Sequence, residues 1–235
     1  TAMQSVEERS SQQKTKILQW LASINKSNSK VHVIGHSQGG LVTRHMITFN
    51  NTNPNNGQPL VRSLHTVNTP HRGSAAADIF LGVIPNWAEP YVGSLLNWFG
   101  GLFYTDNQQD IIAMGYSLTV KTANTFNPNT PNVSGVNYWS VGSYMWEHLW
   151  QHPIMNLTCP IMVVGSPFYG HSTYNDGIVS TTSQKWGSWK GYPGEYFGTF
   201  GLDHLQMTNF EWTGQAYFDV EGFYLEMAGR AASAQ

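Results

Sequence analysis

The run Val31-His32-Val33-Ile34-Gly35-His36-Ser37-Gln38-Gly39-Gly40-Leu41 sets a short apolar stretch directly against a Gly-x-Ser-x-Gly pentapeptide. Residues 31–34 have the pattern of a short buried strand. Residues 41–49 place Leu41, Val42, His45, Met46 and Phe49 at helical spacing. Between them, Gly35 to Gly39 match the nucleophile elbow. In that turn a serine sits on strained backbone between strand and helix, and small residues two before and two after it let the backbones pass closely. The turn lifts the Ser37 hydroxyl to the carboxyl edge of a sheet. It also aims the Gln38 backbone N–H, at the head of the following helix, toward an oxyanion developing on a bound carbonyl. The plain alternative is a glycine-rich turn with no chemistry. The strand pattern before it and the amphipathic helix after it argue for the elbow.

Upstream, residues 7–25 read as a helix with Ile17, Leu21 and Ile24 on one face, widened by Leu18 and Trp20. Downstream, an Asn-rich loop at 50–57 leads to a strand at 61–67, closed by Thr69-Pro70. Helix, strand, helix, strand in this rhythm predicts a parallel sheet with helices on its faces. From residue 75 to 131 the character changes. An apolar stretch at 81–104 is broken by Gly93, Gly100 and Gly101, and a weaker helical pattern at 111–126 ends in Asn127-Pro128-Asn129-Thr130-Pro131. This predicts an inserted helical cap. Strands are expected again at 138–141, at 161–164 and around 196–200, with a last helix at 215–227. The chain therefore reads as one domain, 1–235, with an insertion at about 75–131.

Hydrophobic residues make up 40% of the chain and charged residues 11%, against about 25% charged in ordinary globular chains. So few charges, with a net charge of −2, argue against a disordered tail, a coiled coil and any nucleic-acid partner. No apolar run approaches the roughly 18 residues of a membrane span. Polarity comes from Asn, Ser, Thr and Gln rather than from Lys and Glu, a flavour that fits an exported protein, secreted or periplasmic. The single cysteine, Cys159, permits no intrachain disulfide and no thiolate metal cluster. In Leu157-Thr158-Cys159-Pro160-Ile161 it reads as a small buried residue where a strand starts.

A serine nucleophile needs a base, and the base needs a carboxylate to orient it. In elbow-bearing sheets the chain order is serine, acid, histidine. Asp176 lies in Tyr174-Asn175-Asp176-Gly177-Ile178-Val179, and His204 in Gly201-Leu202-Asp203-His204-Leu205. Both are expected on loops leaving the carboxyl ends of strands, on the edge that carries Ser37. Asp176 also reads as a plain turn residue before glycine, and His204 as a surface histidine. Asp203 competes for the orienting role, but side chains of adjacent residues diverge. His36 is expected to pack in the elbow and His71 to hydrogen-bond a loop. His148, His152 and His171 lack a tight ligand spacing, so no metal site is predicted from them.

Taken together, these blocks resemble the secreted bacterial triacylglycerol lipases of the α/β-hydrolase fold. The resemblance is carried by residues 31–40, Thr69-Pro70-His71-Arg72-Gly73-Ser74, Asn175-Asp176-Gly177-Ile178-Val179-Ser180 and Asp203-His204-Leu205. Softer similarity runs through Asn97-Trp98-Phe99-Gly100 and Thr125-Phe126-Asn127-Pro128, within a span of about 8–209. It implies a mostly parallel sheet flanked by helices, with Ser37, His204 and Asp176 as a triad hydrolysing lipid esters through an acyl-enzyme, and no required cofactor. It also implies that the insertion is a lid around 81–126. Trp87, Leu95, Leu96, Trp98, Phe99, Leu102 and Phe103 carry more apolar area than a small cap helix needs internally, which suits transient contact with lipid interfaces. A plain core helix is the alternative.

Two departures stand out. The resemblance leaves a calcium ion possible, but the position of its usual aspartate ligand is Gln206, and that of the family's half-cystine falls in Ser180-Thr181-Thr182-Ser183. A third concerns the start. One helix and one strand precede Ser37, whereas this fold needs several strands there and an early loop with a second oxyanion donor. The expectation is a C-terminal part of a longer polypeptide, with the N-terminal fragment docked as a second chain that supplies that donor. Rival readings on the same fold are a short-chain esterase, a phospholipase or a polyester depolymerase. The rival from another class is an inactive lipase-like protein that binds lipid or a partner.

Overall fold

Ser5 starts the first helix, α1 (Val6–Ser23), in a computed structural model that describes residues 5–81, 114–145, 153–193, 201–208 and 218–233. The Ser5 hydroxyl accepts the Glu8 N–H (3.3 Å), and Glu7 and Glu8 place negative charge on the first turn. Asn25 ends the helix in left-handed conformation (φ 57°). Its N–H bonds the Ala22 carbonyl (3.1 Å), and the Lys26 N–H bonds that of Leu21 (2.8 Å), a Schellman closure. Leu21 is buried with Ile17 and Leu18 beside it. Trp20 and Ile24, assigned to the same face by spacing, instead face solvent.

Strands β1 (Val31–His36), β2 (Val61–Val67), β3 (Asn137–Val141) and β4 (Ser188–Trp189) form a parallel sheet in the order β1-β2-β3-β4. Among the described residues β1 lies at one edge. Helix α2 (Gln38–Asn50) connects β1 to β2 and packs on α1. One core layer gathers Leu21, Met46, Ile47, Leu60, Leu64 and Tyr138. Another joins Val67, Val141, Leu202, Met207, Phe223 and Met227, the last two from α6 (Val220–Ser233). With elements on both faces, β2 is buried along nearly its whole length and does not alternate. This is the predicted parallel sheet flanked by helices.

Between β2 and β3 the chain leaves through α3 (Ala75–Phe80) and returns through α4 (Val120–Asn129). Ser74 caps α3 and Thr119 caps α4, each hydroxyl accepting an N–H three residues on. The lid residues Trp87, Leu95, Leu96, Trp98, Phe99, Leu102 and Phe103 lie outside the described residues. So do His148, His152 and the strand expected around 196–200.

One element differs in kind. Residues 161–164, expected as a strand, are the last turn of α5 (Pro153–Gly165), and Cys159 lies within that helix rather than at a strand start. A short apolar run does not distinguish a buried strand from a helix. Here Met155 and Met162, two turns apart, are both fully buried on the inward face. No described helix is long and apolar enough to cross a membrane.

Candidate active site

Ser37 sits between β1 and α2 with φ 53° and ψ −130°, a conformation that costs a non-glycine residue energy. Its N–H is held by the Val67 carbonyl (2.9 Å). Its carbonyl accepts the Thr69 hydroxyl (2.8 Å) and the Gly40 N–H (3.1 Å). Serine at a helix N-cap ordinarily spends its hydroxyl on the helix's own N–H groups, but the Ser37 side chain makes no such bond. The elbow's tight packing falls on a different pair of glycines from the one expected. A Cβ on Gly35 would lie 2.8 Å from Gly40 N, and one on Gly40 would lie 2.7 Å from Thr69 Cγ2 and 2.9 Å from Thr66 Cγ2. A Cβ on Gly39 would meet nothing within 4 Å.

Asp176 is fully buried at the turn before Gly177. Its Oδ1 accepts the N–H groups of Ile178 (3.0 Å) and Val179 (2.7 Å). Its Oδ2 accepts Gln184 Nε2 (3.1 Å) and bonds His204 Nδ1 (2.8 Å). These donors replace the water that a buried carboxylate loses. Gly177 holds φ 96°, and a Cβ there would press on Met155 Sδ at 2.8 Å, so the turn requires glycine.

His204 is buried, with its N–H on the Asp176 carbonyl (2.9 Å) and its own carbonyl 2.9 Å from His36 Nε2. The rings of His36 and His204 lie 4.6 Å apart. His204 is therefore gripped by the acid on one side and by the residue before the nucleophile on the other. Burial, and then the neighbouring His204, push the His36 imidazole well below its ordinary value, so at neutral pH it is an uncharged donor to that carbonyl.

Asp203, the competing acid, spends its Oδ1 on the N–H groups of Leu205 (2.8 Å) and Gln206 (2.9 Å). Gln206 Oε1 accepts the Asp203 N–H in return (2.9 Å), a reciprocal capping box. The amide oxygen at the resemblance's calcium position is thus bonded within its own loop. No cluster of three or more His, Cys, Asp or Glu suited to a metal occurs among the described residues.

Gln38 begins α2, where the leading N–H groups have no intrahelical acceptor. Its side chain bridges the Arg9 guanidinium of α1 and the Ser117 hydroxyl (2.8 Å). The His71 ring, expected to bond a loop, instead meets β2 and α2, with Nε2 on the Thr66 hydroxyl (2.9 Å) and Nδ1 facing Arg44 (3.2 Å). Sequence reasoning missed Gln184, which lies eight residues beyond the acid with no motif around it.

A parallel sheet flanked by helices, with an elbow serine between β1 and α2, has the form of an α/β-hydrolase. The solved structures agree on that fold. The chain aligns with the mature Bacillus licheniformis lipase BlEst2 at a TM-score of 0.61 and 15% identity, covering 98% of this chain and 76% of that one. Staphylococcus hyicus lipase aligns at a TM-score of 0.56 and 19% identity, covering 88% and 71%. The chain belongs to the palmitoyl protein thioesterase family, which matches residues 1–137 and so includes Ser37. It is 31% identical over 225 residues to triacylglycerol lipase 2 of Saccharomyces cerevisiae, covering 94% of this chain and 58% of the yeast protein. A triacylglycerol lipase of Pseudarthrobacter phenanthrenivorans is 34% identical over 110 residues, 44% of this chain and 32% of that protein. The chain thus spans well under two thirds of the length of these curated relatives.

Proposed function

We propose that this chain is a serine hydrolase acting on carboxylic esters of lipids, with triacylglycerols as the first candidates. The observation that carries the reading is the buried His204–Asp176 bond (2.8 Å), tied through the His204 carbonyl to His36 (2.9 Å), the residue before the strained Ser37. His204 Nε2 takes the Ser37 proton as the hydroxyl oxygen attacks the ester carbonyl. Asp176 holds Nδ1 and stabilises the imidazolium. The Gln38 N–H, at the positive end of α2, receives the oxyanion, and His204 then returns the proton to the leaving alcohol. Water repeats the sequence on the acyl-enzyme. No cofactor is required.

The outer edge of β1 would accept further strands, and we assign to an N-terminal fragment of the same precursor both that edge and the second oxyanion donor. The insertion at about 75–131 carries a lid, around 81–126, that opens at a lipid interface, and the protein works outside the cytoplasm, secreted or periplasmic. The family match favours a second reading with the same chemistry, in which the acyl group leaves a thiol rather than an alcohol.

The test uses a fluorophosphonate probe, p-nitrophenyl butyrate and palmitate, and a palmitoyl thioester. Wild type should be labelled at Ser37, and Ser37→Ala should lose at least about a thousandfold in ester hydrolysis. In the natural full-length polypeptide, unlabelled wild type would leave only the reading of an inactive protein that binds lipid or a partner. Preference for butyrate over palmitate would point to a short-chain esterase, and preference for the thioester to the second reading.

A further inference from the structure

Gln184 is fully buried, and every polar atom of its side chain is engaged. Oε1 accepts the Ser143 N–H (3.1 Å). Nε2, with two hydrogens, lies against three acceptors, the carbonyls of Ser143 (2.9 Å) and Val179 (3.1 Å) and Asp176 Oδ2 (3.1 Å), so that one hydrogen is shared between two of them. The amide cannot be turned over, because its nitrogen would then face the Ser143 N–H. The donor toward Asp176 is therefore fixed by backbone. Ser143 is itself tied by its hydroxyl to Asn68 Nδ2 (2.6 Å), and the Asn68 N–H bonds Val141 (3.1 Å). Asn68 follows Val67, whose carbonyl holds the Ser37 N–H (2.9 Å). One run of bonds thus joins the elbow to the acid. The amide fits only because residue 142 is glycine: a Cβ there would overlap Gln184 Oε1.

We propose that Gln184 is a positioning residue for Asp176, an inference that rests on the serine-hydrolase reading above. The oxygen it grips is the one that bonds His204. Gln184 stops the carboxylate from rotating and shares the negative charge on Oδ2, while adding no charge of its own. Without that donor the negative charge on Oδ2 is met by His204 alone.

The experiment follows Ser37 labelling by a fluorophosphonate, and hydrolysis of p-nitrophenyl butyrate, against pH in the natural full-length polypeptide. In Gln184→Leu the acid limb of both profiles should move up by about one pH unit, and kcat should fall roughly tenfold at unchanged KM. Gln184→Glu shares a proton with Asp176 and so restores a donor. It should recover most of the lost rate below neutral pH. If the leucine variant does not fold, Gly142→Ala displaces the amide and is read on the same limb. An unmoved limb, or leucine and glutamate variants that behave alike, overturns the proposal. Wild type unlabelled at Ser37 removes the triad reading itself, whereas labelled wild type with an unmoved limb removes only the role of Gln184.

Discussion

Gly40 has no side chain where α2 leaves the elbow, and the space is taken by Thr69, which is fully buried and bonds the Ser37 carbonyl (2.8 Å). A methyl group there must push Thr69 aside and with it the turn that strains Ser37. Overpacking of this kind costs about 1–3 kcal/mol. Gly40→Ala should therefore lower the unfolding free energy by that amount, read as a fall in the urea midpoint, and slow Ser37 labelling. Gly39→Ala, with open space around its Cβ, should be neutral or slightly stabilising, since alanine favours the helix by up to about 1 kcal/mol. Equal effects of the two changes would refute the assignment of the tight contact to Gly40. The pentapeptide motif points to Gly39. Only the register of α2 against the Thr69 loop shows that the contact lies one residue later. The sequence singles out Ser37, Asp176 and His204 by an elbow, an Asp-Gly turn and a histidine beyond it, and the structure bonds the last two to each other (2.8 Å). Gln184 carries no such mark, because its role is fixed by folding that brings Ser143, Val179 and Asp176 around it.

Arg44 shows what holds the elements in register around the site. It is fully buried on α2, with Nη1 on Asn127 Oδ1 (2.9 Å) and Nη2 on the Thr130 carbonyl (2.9 Å) and hydroxyl (3.1 Å), at the end of α4. The guanidinium stacks over Trp186, 3.4 Å from the ring centroid, and faces His71 Nδ1 (3.2 Å). Burial lowers its pKa to about 9. One side chain thus joins α2, the loop after β2, α4 and the segment before β4. Lysine offers neither the planar fork nor the stacking face, so Arg44→Lys should cost nearly as much as Arg44→Ala, on the order of 3 kcal/mol by chemical denaturation. A lysine variant within about 0.5 kcal/mol of wild type would show that charge alone sufficed. None of this was visible in the sequence, where Arg44 is one charge in an amphipathic helix. Elements whose periodicity and punctuation agreed, β1, α2 and β2, were legible. In α5 the apolar segment 161–164 gave no period, and Pro160, which suggests a break, is accommodated inside the helix. The strand β4 has two residues and no apolar run to announce it.

At the scale of the whole molecule, buried histidines set how the fold responds to acid. Burial pushes His36, His65 and His71 below the ordinary value of 6.5, His65 to about 4 with His32, Arg230 and Lys190 adding to the effect. The folded state holds these rings neutral, while the unfolded chain protonates them near pH 6.5. Stability from this source is therefore complete above about pH 6.5 and drains away as pH falls. For His65, which is 3% exposed, the loss continues to about pH 4 and amounts to something on the order of 3 kcal/mol. Asp78, whose carboxyl burial pushes up, works in the opposite sense, one group against six histidines with lowered values among the described residues. Tm measured by calorimetry should hold steady from pH 8 to about 6.5 and then fall steadily to about pH 4. His65→Gln keeps a hydrogen-bonding side chain beside Ser63 and cannot titrate, so its Tm should fall less steeply over that interval. A Tm independent of pH below 6.5, or a variant as acid-sensitive as wild type, would locate the acid response elsewhere.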